Sequence, residues 1–380
     1  MNIKITLKSS VAAAAFVAVA APVATSTPAV AGAINAGQDK MSVSISGQVN
    51  KEILYQDDGT DSYTGVADTE SSGTRFRIVA KGNVTESVSV EARMEAELQS
   101  SGSGDQTLQN KGRGSGQNNF NNRVTHVKFT HKAAGSLTLG QSWEAADGIQ
   151  FMELDGGWIV AEAVTDHANS ALFRNSATKA VTTQAAFFSS IDGGRDDVIR
   201  YDSPNFGGAS LAGSLSNGDE WQIAARYGGT FGGISVNGGI AYISGSEDVQ
   251  NDQIAGSFGV KHDDSGISAF VAAGTVDFTG RPDQVTGTRP DGNQIYAKIG
   301  YDAKISDLGD TTFVIGYGET TDLAANGTDI ELLNFGVVQH VSSIGSEIYA
   351  GASRQSGEAG NGVTNFDDLW AAYVGARVKF

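Results

Sequence analysis

Residues 87–99, SVSVEARMEAELQ, set helix-forming composition against strand-like spacing. Glu, Ala, Arg, Met and Leu favour helix. Yet Val88, Val90, Ala92, Met94, Ala96 and Leu98 fall on one parity, and Ser89, Glu91, Arg93, Glu95, Glu97 and Gln99 on the other. A helix would scatter both sets around its circumference, whereas a strand gives each its own face. The expectation is a strand with one apolar and one charged face. The same alternation recurs along the chain. Segment 41–55 puts Val43, Ile45, Val49, Ile53 and Tyr55 together, and 74–82 sets Phe76, Ile78 and Ala80 against Arg75, Arg77 and Lys81. Further segments lie at 123–131, 136–143, 198–203, 209–216, 221–229, 234–244, 252–262, 267–278, 294–303, 311–319, 330–341, 347–355 and 369–380. Together they predict about sixteen strands, an even number.

The connections alternate in length. Short ones fall at 82–85, 132–135, 204–208, 230–233, 263–266, 304–310 and 342–346. Longer ones cover 56–73, 100–121, 144–196, 245–251, 279–293, 320–329 and 356–366, with 217–220 short but polar. A soluble sandwich has no reason to send long loops to one end. A transmembrane barrel does, with short turns on the periplasmic side and long loops outside. In hydrocarbon every backbone donor needs a partner, so a spanning sheet must close. The fold class expected is therefore all-β, a closed antiparallel up-and-down transmembrane barrel with both termini periplasmic. At about sixteen strands its lumen is wide enough to hold water. The third connection, 144–196, is the longest, and within it QAAFFSS (184–190) predicts a small hairpin or an additional strand.

The first residues stand apart from this pattern. Lys4 and Lys8 precede an apolar run from Val11 to Ala24, and Ala29, Val30 and Ala31 offer a small-residue cleavage site. Residues 1–31 read as a secretory signal peptide, leaving one barrel domain over 32–380. The chain has no cysteine, which excludes thiolate metal sites, cysteine nucleophiles and disulfide frameworks. Its formal charge of −17 argues against nucleic acid as a partner. That acidity, with DDGTD (57–61), DGGRDD (192–197) and GSED (245–248) in or beside loops, predicts a mild preference for cations. The acidic loops could also take a divalent cation bridging lipopolysaccharide, although no segment matches a calcium-loop pattern. No other cofactor is expected.

The last strand ends in Phe380, preceded at alternate positions by Val378, Ala376, Val374 and Ala372. With SGQVNKEILYQDDG (46–59), SSGTRFRIVAKGNV (71–84), GSLTLGQ (135–141) and IRYDSPNFGG (199–208), the whole mature chain resembles the general bacterial porins of the Gram-negative outer membrane. The resemblance implies a homotrimer of 16-stranded barrels passing small hydrophilic solutes by passive diffusion. It also implies contact with outer-membrane lipid and lipopolysaccharide, and a terminal strand read by the barrel-assembly machinery through Phe380. The third loop would then fold into the lumen and narrow it.

Parity supplies candidates for that constriction. Arg75, Arg77 and Lys81 on the second strand, Glu91, Arg93 and Glu95 on the third, and His126 and Lys128 on the fourth should face the lumen. A charge on the lipid face would cost about 2–4 kcal/mol at mid-membrane. Glu144, Asp147, Glu153 and Asp155 of the long loop would stand opposite, setting a transverse field across the gap. Arg93 between Glu91 and Glu95 equally suits ion pairs that brace the wall. Trp370, Tyr373 and Phe380 suit interfacial aromatic girdles. Two rival functions remain. An outer-membrane barrel enzyme lacks support, because none of the five histidines sits in a nucleophile or metal-ligand setting. A substrate-specific channel of the same fold, such as one for sugars, would need an aromatic track along its lumen, and Tyr and Trp are sparse here.

Overall fold

The computed structural model describes residues 41–380 apart from 113–119, 165–166, 169, 218, 246–250, 279–281, 284–286, 289 and 361. The leader, most of the 245–248 acidic stretch and Asp166 therefore lie outside the described residues. The alternating segments become staves of one ring: β1 (Met41–Asp57), β2 (Arg75–Asn83), β3 (Val88–Leu98), β4 (Phe120–His131), β5 (Gly135–Trp143), β6 (Arg195–Asp202), β7 (Ala209–Ser216) and β8 (Trp221–Phe231). The second half continues as β9 (Ile234–Ile243), β10 (Gln253–His262), β11 (Ile267–Val276), β12 (Gly292–Ser306), β13 (Gly309–Thr321), β14 (Asp329–Val341), β15 (Ser346–Ala359) and β16 (Leu369–Lys379). Each stave pairs antiparallel with the one before it, and β16 returns to β1 in a register running from Gln48↔Lys379 to Asp57↔Trp370. The result is a closed 16-stranded antiparallel barrel without an edge.

Two staves are interrupted. Ser62–Asp68 continues β2 upward along β1, and Thr364–Asn365 does the same for β16 along β15. The expected long loop at 56–73 is thus a tight turn at 58–61 followed by strand. The stretch SYTGVAD has one aromatic, one central glycine and few β-branched residues, so its strand character is weak on composition. Between the two pieces, residues 69–74 leave the wall for the lumen. Thr74 fills the vacated rung: its Oγ1 accepts from Asn50 N at 3.0 Å and donates to Asn50 O at 3.3 Å. A buried backbone pair that would otherwise be orphaned is satisfied by one hydroxyl. At the turn before β5, Gly135 takes φ +86°, and a Cβ there would lie 2.1 Å from Asp202 O. Only glycine fits that position.

The outer surface carries the apolar parity. Ile45, Val49, Ile53, Met94, Ile299, Ile315, Val374 and Val378 are all exposed outward. Trp370 and Phe380 share that face, but Tyr373 does not: it points inward, is 5% exposed and donates through its hydroxyl to Val160 O at 2.7 Å. Odd numbering on β16 places it on the lumen side.

The lumen is also fuller than sequence reasoning expected. Ile149, Met152, Phe173, Phe188 and Ile191 of the long loop pack with Phe270, Tyr296, Leu332 and Leu369 of the wall in one buried cluster. Ile159 and Val160 join Val314, Val338, Tyr349 and Tyr373 in another. Water does not fill the barrel's whole width, because the inner face of β8–β16 is largely apolar or small and the loop covers it. Of the expected 184–190 strand only Gln184 and Ala185 are in a strand: a small hairpin forms just ahead of it, where Leu172–Arg174 pairs with Val181–Ala185, separate from the barrel wall, and 186–190 carry no strand.

Candidate pore and constriction

The third loop follows the inner wall from β7 round to β1. Ala145 N donates to Ser214 Oγ on β7 and Ala146 N to Gln222 Oε1 on β8, each at 2.9 Å. Ser257 on β10 donates to Ile149 O at 2.6 Å, and Gln150 Nε2 to Gln294 on β12 at 2.8 Å. Past β16, where Tyr373 holds Val160 O, His167 stacks on Tyr373 with ring centroids 3.6 Å apart. Its Nδ1 lies 3.0 Å from Glu52 on β1. This route leaves the inner face of β2–β6 uncovered. A cavity of about 1110 Å³ lies against that face, lined among others by Lys81, Glu91, Arg93, His126, Lys128, Trp143, Asp147, Arg200, Asp202 and Arg226.

The uncovered wall is a lattice of cross-strand ion pairs. Glu91 serves three bases: Lys81 at 2.9 Å, Arg93 at 3.2 Å and His126 at 3.6 Å. Glu95 serves Arg77 at 3.1 Å, Arg123 at 3.2 Å and Arg75 at 3.8 Å. Arg123 reaches Glu97 as well, at 3.0 Å. The Arg93 guanidinium lies 5.5 Å from the Trp143 ring centroid, near enough for cation–π attraction. His126 meets the same indole edge-on and has its Nδ1 2.9 Å from Ser142 Oγ. Among the described residues Lys128 has no ion pair.

The loop acids divide. Asp147 reaches the cavity beside Arg200 and Arg226. Glu153 and Asp155 do not face the basic wall. They lie on the opposite side, buried, at 3.1 Å and 3.2 Å from Lys298 of β12, whose side chain is 0% exposed. Burying that lysine requires charge compensation, and the two carboxylates supply it. Glu144 is likewise turned inward, accepting from Gly194 N at 2.9 Å and Ser216 Oγ at 2.5 Å, so it braces the base of the loop. Phe380 pairs its backbone with Gly47 at 2.8 Å and 3.0 Å and holds its ring on the outer surface.

Sequence reasoning missed Arg123, Arg200, Arg226 and Lys298. Arg200 Nη1 donates to Trp143 O at 3.2 Å and Glu144 O at 2.7 Å. Arg226 Nη2 donates to Ala145 O at 2.9 Å and Asp147 O at 2.8 Å. The two guanidinia thereby staple the entry of the loop to the wall. Parity could have found Arg200, Arg226 and Lys298, each of which alternates with outward apolar neighbours. Arg123 could not be found that way, because it occupies a bulge where Glu95↔Val124 is followed by Ala96↔Asn122.

Two loop carboxyls are displaced from the usual range. Burial, with the neighbouring Asp147 charge, pushes Asp192 up to about 7, against the pull of N–H donors from Gly148 and Ile149. Burial likewise pushes Asp147 up to about 6, although Arg195, Arg200 and Arg226 act in the opposite direction. Among the described residues no cluster of three or more histidine or carboxylate side chains could hold a metal ion.

The chain belongs to the Gram-negative porin family, whose sequence profile matches residues 12–360. Similar solved structures include an anion-selective porin from Comamonas acidovorans, with TM-score 0.59 and 16% identity over 90% of this chain and 100% of that chain. The outer membrane channel DcaP of Acinetobacter baumannii gives 0.57 and 13%, over 92% and 100%. A trimer form of OmpT, an outer membrane protein of Vibrio cholerae, gives 0.54 and 15%, over 90% and 100%. At such identities the likeness is one of fold. No curated protein sequence matches the chain. As a porin, the protein is an outer-membrane channel rather than an enzyme.

Two outcomes follow for this site. Replacing Lys298 by Met strands two buried carboxylates and should cost about 3–5 kcal/mol, read as a lower urea midpoint and faster proteolysis within 144–194. Adding E153Q and D155N should recover much of the loss. Acidification should remove negative charge from the loop as Asp192 protonates below about 7 and Asp147 below about 6. Anion preference, read from zero-current potentials, should therefore rise between pH 8 and 5, and D192N should flatten the rise.

Proposed function

We propose that the protein is a diffusion channel for small hydrophilic solutes and ions, with a charged constriction that favours anions. The observation carrying this reading is the lining of the uncovered lumen, where Lys81, Arg93, Lys128, Arg200 and Arg226 outnumber Glu91, Asp147 and Asp202. An ion in a narrow gap responds to the charges that line it more than to the net charge of the chain. The cation preference expected from overall acidity is therefore replaced by its opposite. The Comamonas porin of like fold is anion-selective, in keeping with the proposal. The acidic side of the constriction differs from the sequence expectation: it is Asp147 with Asp192 nearby, while Glu144 braces the base of the loop and Glu153 and Asp155 serve as anchors.

The assembly is proposed as a homotrimer, delivered by the leader 1–31 and inserted through the Phe380 strand by the barrel-assembly machinery. The short turns beside both termini would face the periplasm, and the longer loops would face lipopolysaccharide. One residue supports a place for the subunit contact. Lys51 points outward between Val49 and Ile53, with its side chain 43% exposed and 2.6 Å from the buried Asp68. It pairs across to Ala376, midway between Trp370 and Phe380 on the outer face of β16. A charge at that height is costly against lipid, so β16, β1 and the upper piece of β2 are assigned to the contact between copies.

Planar-bilayer recording tests the channel. Insertion should give conductance in steps of three, with a zero-current potential in a potassium chloride gradient of the sign that marks chloride as the more permeant ion. A potassium-selective potential would contradict the proposed constriction, and absence of any step would remove the channel reading. For the assembly, a single cysteine introduced at position 51 of this cysteine-free chain should crosslink copies in membranes, whereas one at position 299 should not.

A further inference from the structure

We propose that Lys128 sets the ionic preference of the channel, offering its ammonium directly to a passing monovalent anion while the other bases of the open cavity are spent on the wall. This rests on the anion-favouring channel proposed above and names the residue that gives it its sign. One rung of the sheet runs through Lys81 on β2, Glu91 on β3, Lys128 on β4, Thr138 on β5 and Arg200 on β6, each facing the next. Three bases and one carboxylate therefore share this rung. Opposite charges that face each other across strands ordinarily pair, and Glu91 would be the acid for Lys128. Its carboxylate is instead taken by Lys81 at 2.9 Å, Arg93 at 3.2 Å and His126 at 3.6 Å. On its other side Lys128 faces Thr138, which carries no charge.

The remaining bases against the cavity are occupied too. Arg200 is engaged by Asp202 at 2.6 Å and by Trp143 O and Glu144 O. Arg226 donates to Ala145 O and Asp147 O. The loop acid of the same cavity, Asp147, lies in the field of Arg195, Arg200 and Arg226 and is offset on its own side. Among the described residues Lys128 is thus the one base lining the cavity with neither a carboxylate nor a carbonyl partner. An arginine held by two or three acceptors must give one up before it can hold a solute. A free lysine has three N–H donors on a flexible stem and gives up only water. One unpaired charge takes one monovalent ion at a time and lets it go again, as conduction requires.

The test is the zero-current potential of the full-length protein in a planar bilayer under a potassium chloride gradient. K128Q should lower the chloride-to-potassium permeability ratio about fivefold, the factor that one unit charge about 4 Å away exerts on a monovalent ion in water, and K128R should keep it. K81Q removes the same charge from a base already given to Glu91, with its side chain 62% exposed, and should change the ratio less than about twofold. Because the chain has no cysteine, K128C can be given a charge of either sign. A trimethylammonium methanethiosulfonate should restore the parent ratio, and a sulfonate one should drive it towards potassium. Heat-modifiable gel migration checks that each variant forms a barrel. An unchanged ratio in folded K128Q, an equal loss in K81Q, or the same ratio after both reagents would overturn the assignment to Lys128 and leave the channel reading standing. A potassium-selective current in the parent protein, or none, would overturn the channel reading and this inference together.

Discussion

The structure depends on one constraint: in hydrocarbon no backbone donor can be left without a partner. Closure of β16 onto β1 meets it along the seam, and every other stave meets it through its two neighbours. Even where the second stave breaks, Thr74 lends a hydroxyl to the otherwise unpartnered amide and carbonyl of Asn50. Once the ring is closed, the alternation of side chains has only two destinations, lipid or lumen. The charged parity of β3 is then no anomaly, since its carboxylates meet arginines and lysines of β2 and β4 on the inner face.

Closure leaves open how the interior is used, and here the two halves of the wall part company. From β8 to β16 the inner face offers Ala224, Ala241, Ala255, Ala272, Phe270, Tyr296 and Leu332. These side chains do not hold water well, and the third loop covers them with Ile149, Phe173, Phe188 and Ile191. From β2 to β6 the inner face offers ion pairs and stays uncovered. The loop thus acts less as a bar across the lumen than as a second lining, and it leaves the open cavity against the basic wall.

The ring was readable in the sequence because period-two alternation survives every local irregularity. Met94 and Arg93 illustrate it, one facing outward and the other facing Glu91. Reading failed where that periodicity is silent. The bulge at Arg123 breaks parity, and the weak composition of Ser62–Asp68 hides a strand. The third loop has no periodicity at all, so nothing in its order of residues tells which wall each acid meets. Glu153 and Asp155 became anchors because Lys298, some 145 positions away, had to be compensated, and that pairing exists only after folding.

The third loop also bears on the order of folding. It is bound to β16 through Tyr373 and Val160, 213 positions apart, and to β1 through His167 and Glu52, 115 positions apart. Those two staves meet only at the seam, and contacts of such long range form late because their entropy cost precedes their reward. The loop that shapes the channel therefore bridges the joint between the chain's first and last strands. It can seat fully only when that joint is made, so the lumen takes its final form at the moment the barrel becomes whole.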